Sequence, residues 1–219
     1  MSRPRVYVTR RIPEPALEQL RAHCEVELWD SDLPVDPAVL AEKVPEADGL
    51  FALLTDRITA DLLDRAPRLK VVANMAVGYD NIDVAACTAR GVVVTNTPGV
   101  LTETTADLAF ALLMAAARRL PQSEKALRAG KWESWKPMEF TGQDIFGATL
   151  GIVGMGQIGA AVARRALGFH MRVLYYSRRR KPELEAALGC EYADLDRLLR
   201  ESDFVSLHCP LTDKTRHLI

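Results

Sequence analysis

The sequence predicts an α/β protein made of two parallel, doubly wound sheets in succession. Three observations lead there. Short β-branched runs alternate with amphipathic stretches over roughly the first hundred residues; the turn NTPG, residues 96–99, interrupts that beat; and a second strand–helix series starts near Ala148 around the glycine string GMGQIG. Strands that alternate with helices at this spacing pair in parallel, because each helix carries the chain back across the sheet.

The first series reads in order as RVYVT (5–9), a strand; PALEQLRAH, a helix; VELW (26–29), a strand; and DPAVLAEKV, a helix with Asp36 and Pro37 at its cap and first turn. GLFALL (49–54) is the third strand, followed by a helix from Thr59, the strand LKVVAN (69–74), a helix over about 82–90 and the strand VVVTN (92–96). Ligands of such sheets bind beyond the carboxyl ends of the strands, so the loops after Leu54, Asn74 and Asn96 are candidate sites. A long apolar helix is expected from Glu103 to Arg118, and the domain boundary is placed before it, giving domains 1–98 and 99–219. KWESWKPMEFTGQDIFG reads as a surface excursion, with Trp132, Trp135 and Phe140 expected to pack against their own domain. The second series then runs TLGIVG (strand), QIGAAVARRALG (helix), MRVLYYS (strand), PELEAALG (helix), CEYA (short strand), LDRLLRES (helix) and DFVSLHCP (strand).

Apolar residues make up 48% of the 219, enough for packed cores, and the net charge of −1 points to neither nucleic acid nor a membrane surface. The N-terminus enters a β-like run without a signal-peptide apolar stretch, and no segment reaches membrane-spanning length, so a cytoplasmic location is expected. Cys24, Cys87, Cys190 and Cys209 form no CxxC pair, and His23, His170, His208 and His217 lack metal-ligand spacing; neither a metal site nor a disulfide framework is expected.

Gly154, Gly156 and Gly159 form GxGxxG between an expected strand and helix, the context in which that string signals a dinucleotide site. Gly154 permits the tight turn, Gly156 lets a pyrophosphate approach the backbone, and Gly159 lets the helix lie against the strand. The amides of Gln157 and Ile158 then face the phosphates from the helix N-terminus. The plain alternative is a glycine turn without a ligand. At the end of the next strand, where NAD-binding proteins carry an acid for the ribose 2′-hydroxyl, this chain has Ser177, Arg178, Arg179 and Arg180; the next acid is Glu183. A hydroxyl and a guanidinium suit a 2′-phosphate, so NADP is the expected cofactor, NADPH preferred over NADH, with Ser177, Arg178 and Arg179 as contacts. A solvated basic turn is the alternative. In the usual strand order the crevice lies between the first and fourth strands, which places His208, Cys209 and Pro210 beside the nicotinamide half as lining. An acid–base role for His208 is the weaker reading.

The segments LLTDRI (53–58), NMAVGYDNID (74–83), VTNTPGVLTETTADLAFALLMAAARR (94–119), GMGQIG and LHCPLTDKTRHLI (207–219) together resemble the D-2-hydroxy acid dehydrogenases, and among them the glyoxylate and hydroxypyruvate reductases. The resemblance covers essentially the whole chain. It implies a flavodoxin-like substrate domain followed by a Rossmann-type cofactor domain, with a small 2-oxo acid held in the cleft between them. It further implies that amides around Val77 and Gly78 hold the substrate carboxylate, that Leu54 closes that pocket, and that Thr105 touches the cofactor. The arginine, histidine and glutamate of the family mechanism belong to segments that would follow Ile219, so no catalytic residue is assigned, and the cofactor domain is expected to be incomplete in this chain. A homodimer is implied, with the interface sought over 102–135. Two other readings stay open: a dehydrogenase for another 2-hydroxy acid such as phosphoglycerate, and a non-catalytic dinucleotide-binding module.

Overall fold

The computed structural model describes residues 3–219, and the chain divides between Gly99 and Val100 into two compact units. The first holds β1 (Arg5–Val8), α1 (Glu14–His23), β2 (Glu25–Leu28), α2 (Pro37–Lys43), β3 (Gly49–Ala52), α3 (Ala60–Asp64), β4 (Val71–Asn74), α4 (Val84–Ala89) and β5 (Val93–Thr95). Its strands pair in parallel in the order β2-β1-β3-β4-β5, the flavodoxin-like order that the sequence led us to expect. Short polar side chains start three of its helices. Asp36 accepts the Ala38 N–H at 2.8 Å, Thr59 the Leu62 N–H at 3.3 Å and Asp83 the Ala86 N–H at 2.8 Å. The last of these explains why α4 begins later than Ile82: Asp83 stays outside the helix as its cap.

Strand alternation sorts this unit's core onto two faces. Tyr7, Leu50, Val72 and Val94 stand in register across β1, β3, β4 and β5 and face the helices that contribute Leu40, Val44, Leu62 and Leu63. One residue along, Val8 faces the other way and packs with Leu17 of α1 and Ile12.

The second unit contains α5 (Thr102–Ala117), α6 (Leu120–Arg128), β6 (Thr149–Val153), α7 (Gln157–Leu167), β7 (Arg172–Tyr176), α8 (Pro182–Leu188), β8 (Glu191–Tyr192), α9 (Leu195–Glu201) and β9 (Phe204–Leu207). The sheet order β8-β7-β6-β9 is parallel and reverses between β6 and β9, as the expected cofactor-domain arrangement requires. Leu150, Ile152, Val173 and Tyr175 face α5 and α7, whose Ala106, Ala160, Ala161 and Ala163 let backbones come close. Val153 and Leu174 face α9 through Leu198.

Two features differ from expectation. Helix α6 is additional; Arg119, at φ 54°, turns the chain after α5, and Pro121 sits in the new helix's first turn, where its missing N–H costs nothing. The aromatic residues of the following excursion do not pack inward: Trp132 and Trp135 are 55% and 77% exposed. The segment returns by a hydrogen bond from the Gln143 N–H to the Ala117 carbonyl at 2.8 Å, onto a core already filled by Phe110, Ala117 and Ile145. Only Phe140 is half-buried, with the Arg119 guanidinium 5.7 Å from its ring centre. Among the described residues no helix is long and apolar enough to cross a membrane.

Because Leu50 is buried in the register row of the first sheet while Leu33 is 72% exposed, Leu50→Ala should cost about 2–5 kcal/mol in urea unfolding. Leu33→Ala should stay within about 0.5 kcal/mol of the parent.

Candidate functional site

The glycine loop lies where β6 ends. Gly154 has φ +103°, a conformation closed to side chains, and a Cβ there would sit 2.6 Å from both the Cys209 nitrogen and the His208 carbonyl carbon. Its N–H donates to the Tyr176 carbonyl at 2.8 Å. The end of β6 is thus gripped between the ends of β7 and β9. At Gly159 a Cβ would meet the Gly154 oxygen at 2.3 Å, so α7 approaches the loop backbone as closely as the motif requires, whereas nothing lies within 4 Å of the equivalent point on Gly156. Helix α7 has Gly156 at its cap and no side-chain cap bond, so the amides of its first turn, those of Gln157 and Ile158 among them, have no intrahelical acceptor and offer donors to an anion. These features fit a dinucleotide pyrophosphate. Thr105 is half-buried in the first turn of α5, and its hydroxyl has no partner among the described residues; the Thr102 hydroxyl instead reaches Gln157 Oε1 at 3.4 Å, a contact sequence reasoning missed.

The basic turn follows β7 directly. Arg178 and Arg179 are exposed and, among the described residues, no carboxylate pairs with either. Arg180 is committed: its guanidinium forms a forked pair with Glu185 at 2.7 and 2.8 Å. The Ser177 hydroxyl donates to the Arg179 carbonyl, so in this conformation it offers lone pairs outward, and it would have to rotate to donate to a phosphate. His208 is half-buried, its Nε2 is 2.8 Å from the Ser206 hydroxyl, and burial pushes its imidazole below the ordinary histidine range. A neutral ring suits the lining role better than that of a proton donor. Cys209 is half-buried beside it and Pro210 is exposed.

In the first unit, the loops after β3 and β4 bring Leu54 to Gly78: a Cβ on that glycine would lie 3.9 Å from Leu54 Cδ2. Two buried or half-buried amides organise the second loop. Asn74 Nδ2 donates to the Gly78 carbonyl and Asn96 Nδ2 to the Val77 carbonyl, each at 2.9 Å. In a trans peptide the N–H points opposite the C=O. Each bond therefore aims the N–H of the same peptide, that of Tyr79 or that of Gly78, away from the amide that holds its carbonyl, and neither N–H has a partner among the described residues. A second set of buried polar groups supports the Leu54 loop. Asp56, 3% exposed, accepts from the Thr9 hydroxyl at 2.5 Å and the Leu53 N–H at 2.8 Å. Asn81 donates to the carbonyls of Leu53 and Asp56 at 3.1 and 3.0 Å. Asp56 and Asn81 went unnoticed as site residues because polar residues in loops read as solvated, and Thr9 because it reads as the end of a strand; the signal was their position inside or just after the strand-end segments.

Among the described residues no group of three or more His, Cys, Asp or Glu could hold a metal ion. Substituting the glycines separates fold from site. Gly156→Ala should leave the melting temperature unchanged while weakening dinucleotide binding about tenfold or more, or ~1.4 kcal/mol, in a fluorescence titration. Gly154→Ala should cost more stability than the ~1–3 kcal/mol of its strained φ, because the added Cβ also meets the His208 and Cys209 backbone. Asn81→Ala, which strips the Leu53 and Asp56 carbonyls of a buried donor, should lower stability by about 1–3 kcal/mol in thermal unfolding.

Comparison with known proteins agrees with this arrangement. The family model described as "D-isomer specific 2-hydroxyacid dehydrogenase, NAD binding domain" matches residues 110–219. A glyoxylate reductase of Korarchaeum cryptofilum is 57% identical over 218 residues, 99% of this chain and 66% of that protein; one of Thermococcus onnurineus is 53% identical over 221 residues, again 99% and 66%. The crystal structure of the TT0316 protein from Thermus thermophilus superposes with a TM-score of 0.90 at 48% identity, covering 98% of this chain and 67% of that one. The chain spans about two thirds of the length of the curated relatives it matches. Since the matched segment opens within α5 and takes in the whole glycine loop, and since the likeness to relatives extends through the first sheet as well, this chain belongs to the D-isomer specific 2-hydroxyacid dehydrogenase family.

Proposed function

We propose that the protein reduces a small 2-oxo acid, glyoxylate or hydroxypyruvate, to the 2-hydroxy acid with NADPH as the preferred cofactor. The observation that carries the cofactor choice is the end of β7: it is tied by the Tyr176 carbonyl to the first glycine of the dinucleotide loop, and past it stand Ser177 and two unpaired arginines where NAD-binding relatives would carry an acid. The substrate class is supported by the names of the relatives and by the backbone amides of Gly78 and Tyr79, which donate no hydrogen bond among the described residues.

In this reading the α7 amides and Gly156 receive the pyrophosphate, Arg178 and Arg179 pair with the 2′-phosphate, and His208, Cys209 and Pro210 line the nicotinamide side. When bound, the reduced nicotinamide supplies the hydride for the 2-oxo carbon. The Val77–Gly78 loop, with Leu54 beside it, orients the substrate carboxylate through backbone amides. Thr105 contributes to the cofactor's surroundings from α5.

The proposal includes a homodimer formed through 102–135. Leu108 and Leu112 of α5, Leu127 of α6, and Trp132 and Trp135 together expose apolar surface of a kind that lone surface residues do not explain. Leu112→Arg should shift the full-length protein toward monomer in light scattering without changing the secondary structure.

The direct test is steady-state turnover of glyoxylate by the full-length protein with each cofactor. NADPH should give the higher kcat/KM. The double substitution of Arg178 and Arg179 by Ala should raise the NADPH Kd about tenfold or more, as expected for lost hydrogen bonds to a charged group, and leave that for NADH unchanged. Equal use of both cofactors by the parent would reject the cofactor choice, and turnover with another 2-hydroxy acid alone would reject the substrate.

A further inference from the structure

The basic turn is braced from beneath by side chains that do not themselves face the candidate phosphate site. Tyr175 is fully buried on β7, and its ring and that of Tyr192 meet edge to face at a centroid distance of 5.5 Å. Its hydroxyl bridges two groups at the far end of the turn: it accepts the Lys181 N–H at 2.6 Å and donates to Glu185 Oε1 at 2.7 Å. Glu185, its side chain only 17% exposed, also receives the Arg180 guanidinium through both carboxylate oxygens. Lys181 is the cap residue of α8 and has no side-chain cap bond of its own, so the tyrosine hydroxyl is what holds that helix start against the strand.

The turn is therefore pinned at both ends. At its entrance the Tyr176 carbonyl is bonded to Gly154, and at its exit Lys181 is bonded to Tyr175 and Arg180 is locked to Glu185. Between these pins the side chains without partners among the described residues are those of Arg178 and Arg179. The brace stays in one protonation state through the neutral range. Burial pushes the Tyr175 phenol up to about 12, so it keeps the proton it donates. The Arg180 ion pair, followed by the tyrosine hydroxyl, holds the Glu185 carboxyl down at about 2.

We propose that Tyr175, Glu185 and Arg180 form a positioning clamp that presets the Ser177–Lys181 turn for a 2′-phosphorylated dinucleotide, and that Arg180 itself is not a phosphate ligand. The inference rests on the NADPH reading above and deepens it. A guanidinium fork recognises a phosphate only in a restricted geometry, so a turn already held in shape spends less of the interaction on ordering. The forked pairing with Glu185 also removes one of three consecutive arginines from the phosphate's reach, leaving two for a doubly charged group.

The test compares NADPH and NADH dissociation constants for the full-length protein and two variants. Tyr175→Phe removes the bridging hydroxyl without altering charge or ring packing. Glu185→Ala releases Arg180. The selectivity ratio, NADH Kd over NADPH Kd, is the readout, because general loosening of the fold weakens both cofactors alike and leaves the ratio unmoved. If the clamp positions the turn, both variants lower the ratio at least fivefold, mainly through weaker NADPH binding. A ratio unchanged in both variants overturns the proposal. So does a rise in Glu185→Ala, which would show that freed Arg180 binds the phosphate. Failure of the underlying reading is seen separately, in a parent protein that has no preference for NADPH at all.

Discussion

The cofactor unit is organised around the backbone at Gly154. Three parallel strands end there side by side, and the peptide of that residue is bonded to β7 while the space a Cβ would need is taken by the His208–Cys209 peptide just past β9. No side chain could be accommodated at that point, and the left-handed φ turns the chain out of the sheet into α7. Everything proposed for the dinucleotide follows from this one constraint: the helix begins next to the strand ends, its first amides have no acceptors, and the basic turn starts one residue beyond the carbonyl that Gly154 holds. A parallel sheet gathers such groups at one end because each of its strands finishes on the same side.

The first unit reaches a comparable result by another route. Its loops have no long helix dipole behind them; they are set by buried side-chain amides and a carboxylate. Asn74 and Asn96 each hold a carbonyl, which by peptide planarity turns the N–H of the same peptide away from the holding amide. Asp56 and Asn81 satisfy the backbone of the adjoining loop in a place water does not reach. Buried polar groups of this kind are costly when unpaired, so the bonds of Asp56 Oδ2 and Asn81 favour one conformation of the loop, while Asp56 Oδ1 is buried without a partner among the described residues.

Much of the fold was legible because it rests on local and periodic information. Short apolar runs, mostly β-branched or aromatic, mark the strands, Asp36 with Pro37 marks a helix start, and the spacing of Gly154, Gly156 and Gly159 marks the loop. Helix α6 was not, since its sequence, LPQSEKALR, has no buried face, and its existence depends on the left-handed turn at Arg119. The exposed Trp132 and Trp135 misled for a related reason: hydrophobicity predicts that a side chain will be covered, and composition does not say by what. Of the candidate site residues, those on the glycine loop could be read individually, whereas Thr102 against Gln157 could not, being brought together across 55 positions.

By itself, then, the sequence determined the two parallel sheets and the end of each at which chemistry belongs, because period, turn residues and glycine spacing act over a few residues at a time. Only the tertiary structure decided which of three adjacent arginines are free. Arg178, Arg179 and Arg180 are equivalent as letters, and what separates them is the place of Glu185 one helical turn into α8 and of a tyrosine hydroxyl rising from the sheet beneath. A partner is chosen by distance in space, and that distance is set by packing rather than by position along the chain.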